Sequence, residues 1–197
     1  MKGLLCKDLL VLKKGVGYSV PVIVLMVILL NNNFTMVYSI LFCTLFPWSV
    51  LAYDEQARWD RMALMLPVSR REIVLSKYLI GWLGMGAATL LGAVNALLRR
   101  QSGAAVLLLA SLACGLLVMS LLLPIMFRYG AERGRVIVML ITFLVVALST
   151  MLHVVIEGFA AAGHIGFPAA LLATLLAATF SWLTVPISVR AYEKRVM

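Results

Sequence analysis

The sequence predicts an all-α integral membrane protein: six transmembrane helices, an amphipathic helix ahead of the first span, and a polar helical corner between the second and third. Three observations carry that prediction. Hydrophobic residues make up 63% of the 197 positions and the mean hydropathy is +1.05, whereas a soluble domain holds roughly 45–50% apolar residues. The apolar residues gather in six blocks, at 15–30, 34–53, 78–98, 104–127, 136–157 and 168–189. Most of these reach the ~20 residues that a hydrocarbon core of ~30 Å requires. Finally, every one of the 17 Lys and Arg residues except Arg99 and Arg100 falls where six spans would put it on the side of the N-terminus. That is the positive-inside pattern, with both termini cytoplasmic. The formal charge of +9 is therefore a topology signal, and nucleic acid is not an expected partner.

Residues 1–14 form the first element. On a helical wheel Lys2, Lys7, Lys13 and Lys14 share one sector and Leu4, Leu5, Val11 and Leu12 lie opposite, with Cys6 and Leu10 intruding on the basic side. Such a helix lies in the headgroup region. A signal peptide is the rival, but Asn31-Asn32-Asn33 rather than a small-x-small cleavage site follows the first apolar block. That block, 15–30, is short and borrows length from Lys13 and Lys14, whose stems can snorkel. In the third block Gly84, Ala88, Gly92 and Ala96 repeat every four residues, a stripe on which another helix can pack closely. Pro47, Pro124 and Pro186 fall within or near the ends of spans and should bend them. The stretch 158–167, GFAAAGHIGF, is apolar but broken by glycines, and suits either a re-entrant segment or an extracellular loop. The connections at 31–33 and 99–103 are too short for domains, so a single membrane domain is expected.

The polar corner spans Tyr53 to Tyr78. It holds Asp54, Glu55, Asp60 and Glu72, half of the acids, with Arg58, Arg61, Arg70, Arg71 and Lys77. Trp59, Met62, Ala63 and Leu66 recur at helical spacing, which predicts an amphipathic helix over 54–66. Pro67 ends it, because proline disfavours a helical conformation in the residue before it. Ser69 and Glu72 stand at the two positions of a capping box, with Val68 and Ile73 placed as its hydrophobic staple, so a new helix starts there. A rigid, charged corner of this kind fits a docking surface better than a linker.

Chemistry of other kinds is missing. The chain has no phosphate-binding G-x-x-x-x-G-K-[ST], no H-E-x-x-H and no G-x-S-x-G, so no enzyme activity and no cofactor of its own is expected. Cys6, Cys43 and Cys114 are isolated, odd in number and without metal spacing. His153 and Glu157 share a helical face at i, i+4 with His164 nearby; polar tips at the outer boundary are the simpler reading, a metal or catalytic pair the other. Between their flanks the spans show no acid or base, whereas ion-coupled transport uses ionisable groups inside the membrane. Energy would then have to come from a partner.

The run Tyr53-Asp54-Glu55, Trp59-Asp60, then Leu66 to Arg70, then Ile73-Val74 and Ser76-Lys77-Tyr78, set between the second and third of six spans, resembles the small bacterial ABC-2-type permeases. The resemblance implies an ABC-2 exporter fold in a bacterial cell membrane, with 1–14 interfacial, 54–66 the coupling helix and 158–167 re-entrant. It implies ATP-binding subunits as partners, with ATP and Mg²⁺ bound there, and a second permease subunit, which a homodimer would supply. Glu55, Arg58, Trp59, Asp60, Arg61 and Met62 would then couple to the ATPase, with Pro67, Ser69 and Glu72 as the structural corner. Within the family the chain is similar to exporters of amphipathic peptides and to bacteriocin-immunity pumps. Phe42, Phe46 and Trp48 could line such a path or belong to the core, and Arg99 and Arg100 have no role in the pattern. The alternative is the substrate-capturing subunit of an energy-coupling-factor uptake system. Those dock through small residues in the first span, and 15–30 has no A-x-x-x-A.

The topology is open to direct test. In a cysteine-free background, single cysteines at Asn32 and Gln101 should react with an impermeant reagent from outside sealed cells, and one at Arg133 should not. External labelling at Arg133 would overturn the six-span arrangement.

Overall fold

Lipid offers no hydrogen bonds, so an apolar chain within it must close its backbone bonds internally. In the computed structural model the described residues are 2–16, 42–57, 69–98, 104–130 and 167–196, with positions 21, 40, 59, 140 and 143 between them. The elements they form are helices: α1 (Lys2–Val16), α2 (Phe46–Gln56), α3 (Arg70–Leu98), α4 (Ala104–Tyr129) and α5 (Phe167–Val196). Of these α3, α4 and α5 are long and apolar enough to cross a membrane, and they take in the blocks expected at 78–98, 104–127 and 168–189. The blocks at 15–30 and 136–157 and the segment 158–167 lie outside the described residues, apart from Gly15 and Val16 at the end of α1 and Pro21, Leu140, Phe143 and Phe167.

The second block, 34–53, is not one continuous helix where it is described. Phe42 and Cys43 are helical, Thr44 and Leu45 form a turn closed by Leu45 N–H to the Phe42 carbonyl at 3.0 Å, and α2 begins at Phe46. Pro47 supplies the reason. It has no N–H for the carbonyl of Cys43, which weakens the first helix where it would continue, and proline is favourable in the first turn of the next; Pro124 and Pro186, by contrast, stand inside the unbroken helices α4 and α5. α2 runs on past the block into the polar stretch and keeps Asp54 and Glu55 in its last turn.

At the other side of the corner Ser69 and Glu72 cap α3 reciprocally. Ser69 N–H donates to Glu72 Oε2 at 3.2 Å, and Glu72 N–H lies 3.3 Å from Ser69 Oγ. The helix that follows has 29 residues, about 43 Å at 1.5 Å per residue, so it outreaches a ~30 Å hydrocarbon core. α4 ends on Gly130, whose φ of 86° is a left-handed conformation suited to glycine and whose N–H meets the Met126 carbonyl at 2.8 Å.

α4 is the central helix, its sides mostly buried, and its interface with α5 is the largest among the described elements. On α5 the buried positions Ala170, Thr174, Ala177, Ser181, Thr184 and Ser188 alternate steps of four and three. These small side chains let the backbones approach, the packing that membrane helices use where no hydrophobic drive separates them from lipid. The outer faces are apolar too: Leu90 and Leu97 on α3, and Leu172, Leu176 and Leu183 on α5, are each more than half exposed. Surface of that kind suits lipid and not water.

The small-residue stripe of α3 is packed as its spacing suggests. Ala88, Gly92 and Ala96 are buried. A Cβ at Gly84 would stand 2.9 Å from the Phe46 ring of α2, and one at Gly92 would stand 2.8 Å from Leu108 of α4. Gly86, on the other side of the helix, has nothing within 4 Å of that position. Gly84→Val should therefore destabilise the purified protein by about 1–3 kcal/mol through overpacking, read as a lower thermal midpoint in detergent. Gly86→Val should be close to neutral, and equal losses at the two positions would show that close packing is not the cause.

Candidate functional site

Two pairs of adjacent residues set up the site. Lys7 and Asp8 are neighbours on α1, about 100° apart around the helix, so one can face α2 while the other faces α3. Ser76 and Lys77 stand in the same relation on α3. Asp54 comes from the last turn of α2. Together they form a closed ring of charge. Lys7 Nζ lies 2.6 Å from Asp54 Oδ1 and 3.1 Å from Asp8 Oδ1. Lys77 Nζ lies 2.7 Å from Asp8 Oδ1 and 2.5 Å from Asp54 Oδ2. Each cation touches both anions and each anion both cations, and the sum of charge is zero.

The ring has an inner and an outer side. The Lys77 side chain is 2% exposed and that of Asp8 1%, against 10% for Asp54 and 23% for Lys7. Ser76 Oγ adds a contact of 2.9 Å to Asp8 Oδ2, sharing its single proton between that oxygen and the Ile73 carbonyl at 2.8 Å. On the outer side the Lys7 ammonium stands 4.1 Å above the Trp59 ring, a cation–π contact of the kind that gains strength away from water. Burying an ion costs several kcal/mol, and only good geometry with nearly every lone pair engaged offsets that. Asp54 carries a further penalty, since a carboxylate at a helix C-terminus opposes the dipole. Two ammonium groups within 2.6 Å reverse it.

All five described helices meet here. Leu51, Asp54 and Glu55 of α2, Ile73 and Lys77 of α3, Phe127 of α4, Tyr192 of α5 and Trp59 line a cavity of about 10 Å³ beside the ring, the room of a single water molecule at most. Phe127 and Tyr192 meet edge to face with centroids 5.7 Å apart. At the next position of α3 after Lys77, the Tyr78 hydroxyl donates to Thr184 Oγ1 at 3.2 Å and shares a hydrogen bond with Ser188 Oγ at 2.8 Å, tying α3 to α5. Trp82 continues the seam, stacked on Trp182 at 5.5 Å.

The residues expected at the site are placed unequally. Glu55 lies in the last turn of α2 and Trp59 stands against Lys7, while Ser69 and Glu72 form the cap. Arg58, Asp60, Arg61, Met62 and Pro67 lie outside the described residues, as do Arg99, Arg100, His153, Glu157 and His164. Phe46 belongs to the core against Gly84. Cys43 is buried, whereas Cys6 stands exposed on the outer side of α1 with Leu9 and Leu10. Two members of the ring escape sequence reasoning. Lys77 looks like one more flanking base, yet it is buried. Asp8 has a visible signal in retrospect: on the helical wheel of α1 it is an acid set among Leu4, Val11 and Leu12, on the apolar face.

Removing one member leaves an uncompensated charge. Lys77→Met should destabilise the protein by about 3–5 kcal/mol, the usual penalty for breaking a buried pair from one side. Asp54→Asn together with Lys77→Met leaves the neutral Lys7–Asp8 pair and should recover most of that loss. Thermal midpoints of the purified variants decide it, and a double variant no more stable than Lys77→Met would show that charge balance is not what the ring supplies.

Comparison with known proteins adds the family. No curated protein and no solved structure matches the chain. The family model described as ABC-2 family transporter protein matches residues 3–193, a span that takes in the ring, the corner and the three long apolar helices. Permeases of this family lack ATPase domains, associate with ATP-binding subunits and draw the energy for transport from them. The chain thus belongs to the ABC-2 transporter family, as the membrane permease component of such a transporter.

Proposed function

We propose that this permease is half of an exporter whose stretch 54–66 is the coupling helix that receives the movement of an ATP-binding subunit. One observation carries the reading: the corner is anchored at both ends. On one side the ring holds Asp54 at the end of α2, and on the other the Ser69–Glu72 cap fixes the start of α3. A push delivered between two such anchors reaches the spans, where a soft loop would absorb it. Glu55, Arg58, Asp60, Arg61 and Met62 make the contact with the ATP-binding subunit, with Pro67, Ser69 and Glu72 as the structural corner. Trp59, stacked on Lys7, passes part of the push to α1.

A second permease subunit, a second copy of this chain in the simplest case, completes the pathway. The termini face the cytoplasm beside the ATP-binding subunits, which carry ATP and Mg²⁺. Amphipathic peptides or hydrophobic antimicrobials are the cargo, a choice that rests on the resemblance of the corner motif to peptide-exporting permeases. The outer ends of the spans and the segment 158–167 form the exit side.

Arg58→Glu with Arg61→Glu should leave membrane insertion and the thermal midpoint unchanged while removing co-purification of the ATP-binding subunit. Charged and aromatic interface anchors are worth on the order of 2 kcal/mol or more, so binding should weaken at least about thirtyfold. Amphipathic peptides should raise ATP hydrolysis of the native complex in proteoliposomes. Normal co-purification and hydrolysis by the double variant would show that this stretch is not the coupling element.

A further inference from the structure

We infer that the N-terminal helix is a working member of the coupling device, and that Lys7 and Asp8 are positioning residues that lock α1, the end of α2 and the start of α3 into one rigid joint. The inference rests on the coupling role of 54–66 and adds to it a route and two residues.

The route follows from the ring. Along the chain, α2 and α3 are joined only through residues 57–69, and a displacement passing that way must cross every backbone torsion of the corner. Across the ring the same two helices are joined by one contact, Asp54 Oδ2 to Lys77 Nζ at 2.5 Å. α1 braces that contact from both sides, with Asp8 holding Lys77 and Lys7 holding Asp54. Suppose Asp54 moved alone. Lys7 and Lys77 would be left with one carboxylate between them, in a place where Lys77 is nearly cut off from water. A surplus buried charge is far more costly than a lost surface pair, so sliding of α2 against α3 is opposed. Movement of all three helices together breaks no ion pair. The ring thus lets the joint translate or tilt as a unit and forbids its parts to separate.

Alternation around the ring makes the arrangement specific. Two separate salt bridges would tolerate an exchange of charge within one pair. Here an exchange of Asp54 with Lys77 would set the new Lys beside Lys7 and the new Asp beside Asp8. The α1 residues therefore determine which charge α2 and α3 can carry.

The experiment uses the permease together with the ATP-binding subunit that co-purifies with it. Spin labels are placed at native Cys6 on α1 and at either Gln56→Cys on α2 or Arg71→Cys on α3, all exposed positions, with Cys43 and Cys114 changed to serine. Inter-label distances are measured without nucleotide and after trapping with ATP, Mg²⁺ and vanadate. In the native ring both distances should stay the same on trapping. In Asp54→Asn/Lys77→Met the Cys6 to Gln56→Cys distance should change, and ATP turnover of the complex should fall about two- to thirtyfold while co-purification persists. Lys7 is part-exposed and tolerates replacement more readily: Lys7→Met should lose turnover to a similar degree and Lys7→Arg should retain it. A distance change in the native complex, or native turnover in both the double variant and Lys7→Met, would overturn the joint. Loss of co-purification by the native chain would instead overturn the coupling reading itself, and the joint with it.

Discussion

Charges withdrawn from water have to neutralise one another locally, and among the described residues that requirement falls on four side chains from three helices. Lys7, Asp8, Asp54 and Lys77 meet it by closing into a ring in which every contact joins opposite signs. The geometry then constrains everything around it. α1 must lie across the junction of α2 and α3, because Lys7 and Asp8 leave it in directions about 100° apart. α2 must end beside the second turn of α3. The ends of α4 and α5 close the dry side with Phe127 and Tyr192.

Away from the ring, the described helices are held by shape rather than by charge. Small residues on α3 and α5 bring backbones close, and the hydroxyls of Tyr78, Thr184 and Ser188 satisfy one another inside the bundle. Contacts of that kind have little directional rigidity along the helix axes. Ion pairs buried at one end do. A transporter has to keep its spans free to rearrange while its contact with the energy source stays stiff, and under the coupling role proposed for 54–66 the two kinds of packing would divide along that line.

Much of this architecture is legible in the sequence because it is written in local patterns. Apolar length gives α3, α4 and α5, the four-residue repeat of glycine and alanine gives the packed face of α3, and Ser69 with Glu72 gives the start of that helix. What the sequence hides is set by distant partners. Lys77 resembles any flanking lysine until it is seen to meet Asp8, 69 residues earlier, and Asp54, 23 earlier. The helical wheel does mark Asp8 as misplaced, but a wheel cannot say what lies opposite. Pro47 is legible as a disturbance, and only the fold shows that it stands in the first turn of a helix rather than bending one.

The order in which the ring members occur along the chain also bears on how the protein is made. Lys7 and Asp8 are made first and Lys77 last, 69 residues after Asp8. Until then α1 has nothing buried to hold it. Its two charges, adjacent in sequence and 3.1 Å apart in the finished fold, can neutralise each other meanwhile and let the helix rest at the lipid surface. Docking of α1 through the closed ring therefore needs residues of α3, and it can be completed only after Ser76 and Lys77 have been made.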